Sequence, residues 1–280
     1  MPELPEVQAH AERLSAAYAG RSLARFVPIT FTALKTATPR PDEAYGTPLG
    51  GVGRRGKYLL LQFPTVTFVV HLMQGGRLLD DVKQSAKPRG GQARFVFDGE
   101  GPALLLTEAG TERRAGVWCV PTEGLLAAPP LDVLGPEADA VEVDTLLAAF
   151  ADKNQRLHGF LRDQRSIAGI GRRLANEVCH RARLSPFAMT KKLTHDEAAR
   201  VVDAIRTSVA EGLEYERTRA DMSASKDRPG AVHGRAGEAC PVCGDVVRAV
   251  EYSGYTVNYC ATCQTGGKVL ADNTTSRFLK

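Results

Sequence analysis

Three groups of residues in this 280-residue chain combine side-chain types and spacings that can do chemistry. The first is Cys240-x2-Cys243, followed after 16 residues by Cys260-x2-Cys263. Paired knuckles at that separation fit a four-cysteine zinc site in which two tight turns converge on one tetrahedral Zn2+ ion. Two disulfides are the alternative, which a cytoplasmic address disfavours. With thiolates in all four positions the metal is expected to be structural, with no open position to activate water. Cys119 and Cys179 stand alone and read as buried core residues.

The second group is the opening Met1-Pro2-Glu3-Leu4-Pro5-Glu6. Removal of Met1 exposes the secondary amine of Pro2, an α-amino group less basic than lysine and more often unprotonated at neutral pH. Such an amine can attack an electrophilic carbon and form an iminium. Glu3 and Glu6 lie at or just before the first turn of a helix, where the helix charge favours carboxylates. The plain structural reading stands beside this one, because many chains begin Met-Pro and acids at helix starts are ordinary capping.

The third group is electrostatic. The net charge is only +4, but its distribution is uneven. Residues 131–150 hold five acids and no Lys or Arg, which reads as a solvated linker. Between Lys153 and Arg183 there are eight bases against Asp163 and Glu177. That patch suits a polyanion such as nucleic acid, and arginines that merely decorate helix surfaces would produce it equally well.

The elements that must position these groups follow from pattern. Pro5 at a first helical position, apolar residues at Val7, Ala11, Leu14 and Tyr18, and Gly20 as terminator predict a helix over 5–19. Runs at Phe26–Phe31, Tyr58–Phe63, Val66–Leu72, Ala93–Phe97 and Ala103–Thr107, punctuated by Gly and Pro, predict a sandwich or barrel. Helices are expected at 143–152, about 155–163, Arg172–Arg183 and Thr194 to about Glu214, the last opened by a Thr194/Glu197 capping box. Val247, Val250, Tyr252, Thr256 and Val257 predict a β-hairpin between the cysteine pairs. The most apolar stretch, Tyr58–Met73, is broken by Gln62, Pro64, Thr65 and Thr67, so no membrane span is expected. The acidic N-terminus lacks a signal-peptide pattern, and a cytoplasmic location is the expectation.

Taken together, Pro2-Glu3-Leu4-Pro5-Glu6-Val7, Gly53-Arg54-Arg55-Gly56-Lys57-Tyr58, His71-Leu72, Arg113-Arg114, Ala168-Gly169-Ile170-Gly171 and Gly234-Arg235-Ala236-Gly237-Glu238 before the cysteines resemble the formamidopyrimidine-DNA glycosylase and endonuclease VIII family. The opening is closer to the formamidopyrimidine branch. The resemblance implies an α+β protein: an N-terminal β-sandwich with a leading helix over 1–130, an acidic linker and the start of the helical domain over 131–150, a helix-two-turn-helix domain over 151–232, a zinc hairpin over 233–267 and a tail over 268–280. It also implies a monomeric base-excision-repair enzyme, nucleoid-associated when bound to damaged DNA, with glycosylase and abasic-site lyase activity. Pro2 would attack C1′ of the damaged nucleoside, Glu3 would protonate the deoxyribose ring oxygen and shuttle protons, and Glu6 would support them. Lys57, counted with the catalytic residues, would hold a phosphate beside the lesion and aid proton transfer, and His71 would contact a phosphate. The target nucleotide must leave the stack, and the gap it leaves must be filled.

This chain departs from the family at its DNA contacts. Gln74 falls where the wedge methionine belongs, and Met73, one residue earlier, serves only if the backbone bulges. Arg113 and Arg114 are present, but Ala115 takes the place of the wedge phenylalanine. Arg172 follows Gly171 in place of an asparagine, and Tyr255 replaces a phosphate-binding arginine for which Arg248 is the candidate substitute. The loop at 221–233 is short, with His233 where tyrosine is common. The expectation is a working catalytic centre with shifted lesion preference. A non-catalytic binder of abasic or distorted DNA is the alternative, and a zinc-ribbon adaptor would explain the cysteines but not the N-terminus.

Overall fold

The computed structural model describes residues 1–110, 113–222, 227–252 and 254–271. Most of the expected tail and part of the 221–233 loop therefore lie outside the described residues. The chain divides into two compact units, residues 1–134 with 216–225, and residues 135–215 with 226–280.

The first unit is built from α1 (Leu4–Tyr18) and eight strands: β1 (Leu23–Pro28), β2 (Gly51–Arg55), β3 (Tyr58–Gln62), β4 (Val66–His71), β5 (Gly76–Asp81), β6 (Gly91–Phe97), β7 (Ala103–Glu108) and β8 (Gly116–Pro121). They form two antiparallel sheets ordered β1-β6-β7-β5 and β2-β3-β4-β8. Alternate residues of β3 and β4 (Leu59, Leu61, Phe68, Val70) join Phe95 of β6, Leu104 of β7 and the apolar stripe of α1 in one core. The intervening Leu60 and Val69 face a second cluster with Val120 and Leu131. Cover on both faces explains why Leu59–Leu61 of β3 and Phe68–Val70 of β4 are apolar without alternation. The strands β2, β5 and β8, for which the sequence carries weaker signals, all lie at sheet edges. The Val52 N–H of β2 donates to Ser15 Oγ of α1 at 3.2 Å, so the helix covers that edge. β1 starts and ends three residues earlier than its pattern suggests. Its pairing with β6 stops at Pro28, and Phe31 is 99% exposed.

The second unit contains α2 (Val143–Asp152), α3 (Leu157–Arg162), α4 (Arg172–Arg181), most of α5 (His195–Arg217), the hairpin β9 (Val247–Tyr252) and β10 (Tyr255–Cys260), and α6 (Ala261–Thr265). Phe150 of α2 meets Phe160 of α3 edge to face at 4.8 Å. Between α3 and α4 the Asp163 carbonyl accepts the N–H groups of Ser166 and Ile167. Gln164 brackets the same turn: its Nε2 donates to the Ile170 carbonyl, and its Oε1 accepts the Gly169 N–H. Gly169 itself sits at φ +103°, which favours glycine there. The stretch at 131–150 is not a solvated linker. Leu131, Ala138, Val141, Leu146 and Phe150 are buried, and the unit boundary falls at 134/135. The acids read as solvent-facing because the apolar residues between them turn inward. Among the described residues no helix is long and apolar enough to cross a membrane.

Candidate functional site

In the first unit Pro2 is buried beside the start of α1. Glu3 and Glu6 are 5% and 4% exposed. The Glu3 N–H donates to Glu6 Oε2 at 3.0 Å in a capping-box arrangement, so Glu6 fixes the backbone next to Pro2. One turn on, Gln8 Oε1 accepts from Arg54 Nε at 3.0 Å, and Arg54 Nη1 donates to the Gly56 carbonyl. That guanidinium ties the β2–β3 turn, and with it Lys57, to the N-terminal half of α1. Gly56 makes the turn at φ +56°, and Lys57 is 4% exposed.

His71 stands across the sheet from Tyr58, with ring centroids 4.6 Å apart. Its Nδ1 lies 3.3 Å from the Met73 backbone nitrogen and 2.8 Å from Met73 Sδ. Burial, helped by the nearby Lys57 ammonium, pushes the His71 pKa down to about 4. Lys57 and His71 are thus brought together, as a charged amine beside a neutral imidazole. Met73 does not bulge the strand: β4 has ended, and Met73 opens the turn to β5 with φ +52°, its side chain packed on the core. Gln74 takes the exposed place in that turn. Opposite His71, β8 begins at Gly116. Arg113 and Arg114 just before it are exposed, whereas Ala115 is buried with its N–H on Glu108 Oε2 at 2.6 Å.

In the second unit Gly171 caps α4 without a side-chain hydrogen bond, and Arg172 at the first helical position is exposed. Arg248, the candidate substitute for the hairpin arginine, lies away from Tyr255. It pairs in register with Tyr259 and lies 3.9 Å from Asp245, at the cysteine end of the hairpin. Four residues of strand, about 13 Å, separate it from Tyr252 in the row of Tyr255. The cation at Tyr255 comes instead from α3, with the Arg162 guanidinium 3.8 Å from the ring centroid. His158, one turn earlier on α3, stacks on Tyr255 at 5.5 Å and 19°. In the sequence Arg162 stands out only as part of a basic patch. Its i, i+4 spacing from His158 is the available signal, but no local pattern says that Tyr255 faces α3.

The four sulfurs of Cys240, Cys243, Cys260 and Cys263 lie within 4.8 Å of one another, with Cys240–Cys263 at 3.9 Å and Cys243–Cys260 at 3.4 Å. Disulfide sulfurs would be about 2.05 Å apart, whereas these separations suit thiolates sharing one ion at about 2.3 Å. His180 of α4 places Nε2 3.3 Å from Cys240 Sγ, a contact that could orient this sulfur toward an ion. Asn176 ties the same helix to the hairpin and the preceding loop: its Oδ1 accepts the Asn258 N–H at 3.3 Å, and its Nδ2 lies 2.9 Å from His233 Nδ1.

Histidines whose pKa is lowered by burial, His10, His71 and His158 among them, make stability pH-dependent. Burial lowers the pKa of His10 to about 4, His71 to about 4 and His158 to about 3, against about 6.5 in an unfolded chain. The unfolded state therefore binds more protons below pH 6.5, and stability falls as pH drops toward 4. Each histidine contributes a loss of about 2 kcal/mol by pH 5. Urea unfolding at pH 5 and pH 7.5 checks this, and His71→Gln should remove its share of the difference.

A leading helix on two antiparallel sheets, followed by a helix-turn-turn-helix and a four-cysteine hairpin, defines a class of DNA-repair folds, and comparison with known proteins agrees. The family model described as the formamidopyrimidine-DNA glycosylase N-terminal domain matches residues 1–117, and that described as the H2TH domain of the same enzyme matches residues 134–223. The chain belongs to the formamidopyrimidine-DNA glycosylase family. It is 41% identical over 165 residues to an uncharacterized formamidopyrimidine-DNA glycosylase-like protein of Mycobacterium tuberculosis, covering 56% of this chain and 100% of that one. It is 31% identical over 278 residues to the formamidopyrimidine-DNA glycosylase of Pelotomaculum thermopropionicum, covering 94% and 99%. Its fold matches the MutM protein of Thermus thermophilus with TM-score 0.80 at 28% identity, covering 96% and 100%. It also matches the Lactococcus lactis enzyme non-covalently bound to DNA containing an AP site, with TM-score 0.83 at 19% identity, covering 94% and 99%.

Proposed function

We propose that this protein is a base-excision-repair glycosylase with abasic-site lyase activity that acts through Pro2. The observation that carries the reading is the buried Pro2-Glu3-Glu6 start of α1, joined through Arg54 to the turn bearing Lys57. With Met1 removed, the Pro2 nitrogen attacks C1′ and the damaged base departs with the electrons of the glycosidic bond, taking up the proton that the Pro2 nitrogen releases. Glu3 donates a proton to the ring oxygen as the sugar opens, leaving an iminium between Pro2 and C1′. Loss of a C2′ proton then expels the 3′ phosphate by β-elimination, and water releases the amine. Lys57 and His71 hold phosphates beside the lesion. The four cysteines bind structural Zn2+, for which an all-thiolate donor set is suited.

Borohydride reduction on abasic DNA tests the reading: a covalent adduct supports it, and tight binding without an adduct supports the non-catalytic alternative. Buried Ala115 and exposed Gln74 further support a shift in lesion preference, because neither can wedge an aromatic or thioether side chain into the stack. Abasic duplex should be cleaved readily while 8-oxoguanine opposite cytosine is released slowly. Efficient 8-oxoguanine release would overturn the shift.

DNA grip by the second unit rests on Arg172, on the uncapped first turn of α4 and on Arg162 held against Tyr255. Arg162→Ala is expected to weaken DNA binding by about tenfold and to lower the salt slope by about one phosphate. Tyr255→Ala should lose part of the same effect, and Arg248→Ala should stay within about twofold. Fluorescence anisotropy across a salt series reads all three.

A further inference from the structure

Phe31 of the first unit is 99% exposed, yet the turn that carries it is held from both sides. The N–H groups of Ile29 and Thr30 donate to the Gln92 carbonyl of β6, and the Ala33 N–H donates to the Thr30 carbonyl, which puts Phe31 and Thr32 at the tip of a four-residue turn. Beyond the tip, the Val117 N–H of β8 donates to the Ala33 carbonyl and the Lys35 N–H to the Val117 carbonyl, each at 2.8 Å. A lone apolar side chain on a loose loop needs no explanation. A phenyl ring held out by a turn pinned to both sheets forgoes the burial that such a ring ordinarily contributes to folding. The turn leaves β1 where β6 starts and reaches β8 beside Gly116, the partner of His71. It therefore lies at the same end of the sandwich as Lys57, Gln74, Arg113 and Arg114. Gly116 leaves room for the Lys35 stem, since a Cβ there would collide with Lys35 Cε. Directly opposed residues share a sheet face, so Lys35 crosses the face that carries His71. Lys35, Arg89 and Arg113 are exposed at this end and, among the described residues, stand in no ion pair.

We infer that Phe31 stacks on a DNA base exposed where the duplex is opened at the lesion, a step that rests on the DNA-repair reading above and names the residue that recognises the opened stack. Buried Ala115 and polar Gln74 leave this end of the sandwich without an aromatic or thioether wedge, and Phe31 supplies apolar surface from a neighbouring turn. An aromatic ring flanked by cations suits nucleic acid, because every base has a π face and every linkage a phosphate. In an intact duplex the bases stack on one another and offer the ring little, whereas a missing or extruded nucleotide uncovers a face for it. Stacking of this kind is tolerant of base identity, so Phe31 favours damaged over undamaged DNA without selecting a sequence.

Fluorescence anisotropy of the full-length, zinc-loaded protein on a duplex with one tetrahydrofuran abasic analogue, and on the same duplex undamaged, tests this. Phe31→Ala is expected to weaken binding to the abasic duplex by about tenfold and to the undamaged duplex by less than about twofold. Its thermal unfolding should not move, because the ring is already in water. Phe31→Trp should keep both affinities within about twofold. Its emission should be quenched on the abasic duplex beyond that of wild type, whose single tryptophan is Trp118. Leu126, 61% exposed and past the far end of β8, is the control, and Leu126→Ala should change neither affinity. Undiminished abasic binding in Phe31→Ala, an equal loss on both duplexes, or unquenched emission in Phe31→Trp overturns the inference. The tetrahydrofuran site cannot form an iminium. Failed borohydride trapping with the Phe31 effect intact therefore strikes only the Pro2 reading, and normal trapping without that effect strikes only this inference.

Discussion

Blocking the N-terminus ahead of Pro2, by retained Met1 or an added residue, is expected to reduce strand cleavage at an abasic site by about 10³-fold or more. An amide nitrogen has no basic lone pair and cannot form the iminium. DNA affinity should change by less than about threefold, because the phosphate contacts lie on other residues. The separation of the two readouts is the diagnostic. Glu3→Gln gives a complementary outcome: it keeps the amine and removes the proton donor, so adduct formation should slow while the eventual adduct yield on abasic DNA survives. Loss of cleavage and binding together in the blocked protein would point to a folding defect at α1, and retained cleavage would place the nucleophile elsewhere. Single-turnover cleavage, with intact mass to verify the start of the chain, measures this directly.

Removing the metal is expected to have the second largest effect. Cys240 and Cys260 are buried with Val232 and Val247 in a small cluster, too little apolar surface to hold a two-strand hairpin alone. Binding of zinc by four thiolates is correspondingly a folding term for such a module, on the order of 10 kcal/mol. Chelation, or Cys260→Ser, should therefore unfold β9 and β10 and release Tyr255 from Arg162. DNA affinity should fall by about tenfold or more, with a smaller salt slope. The two sheets of the first unit carry their own core and should keep their amide-exchange protection. Exchange mass spectrometry separates the two regions, and protection lost equally in β3 and β4 would show that the units do not fold independently.

Much of the fold was legible in local pattern. The apolar stripe of α1, the runs at β3, β4, β6 and β7, the Thr194/Glu197 cap and the cysteine spacing each depend on short-range periodicity or turn chemistry. Those signals are encoded within a few residues and survive without knowledge of the partner element. Edge strands such as β2 escaped because their cover comes from α1, 37 residues away at Ser15–Val52.

At the site, residue types and order were enough to single out Pro2, Glu3, Glu6 and the four cysteines, and the family resemblance added Lys57, because the chemistry of an α-amine, a carboxylate or a thiolate belongs to the residue itself. Tertiary structure decided which cations those groups face. Arg248 sits at the cysteine end of the hairpin beside Asp245, and Arg162 crosses from α3 to stand over Tyr255. Met73 rests on the core while Gln74 projects. These outcomes follow from strand register and from where a strand stops, quantities set by long-range pairing. A one-residue difference there exchanges an inward side chain for an outward one.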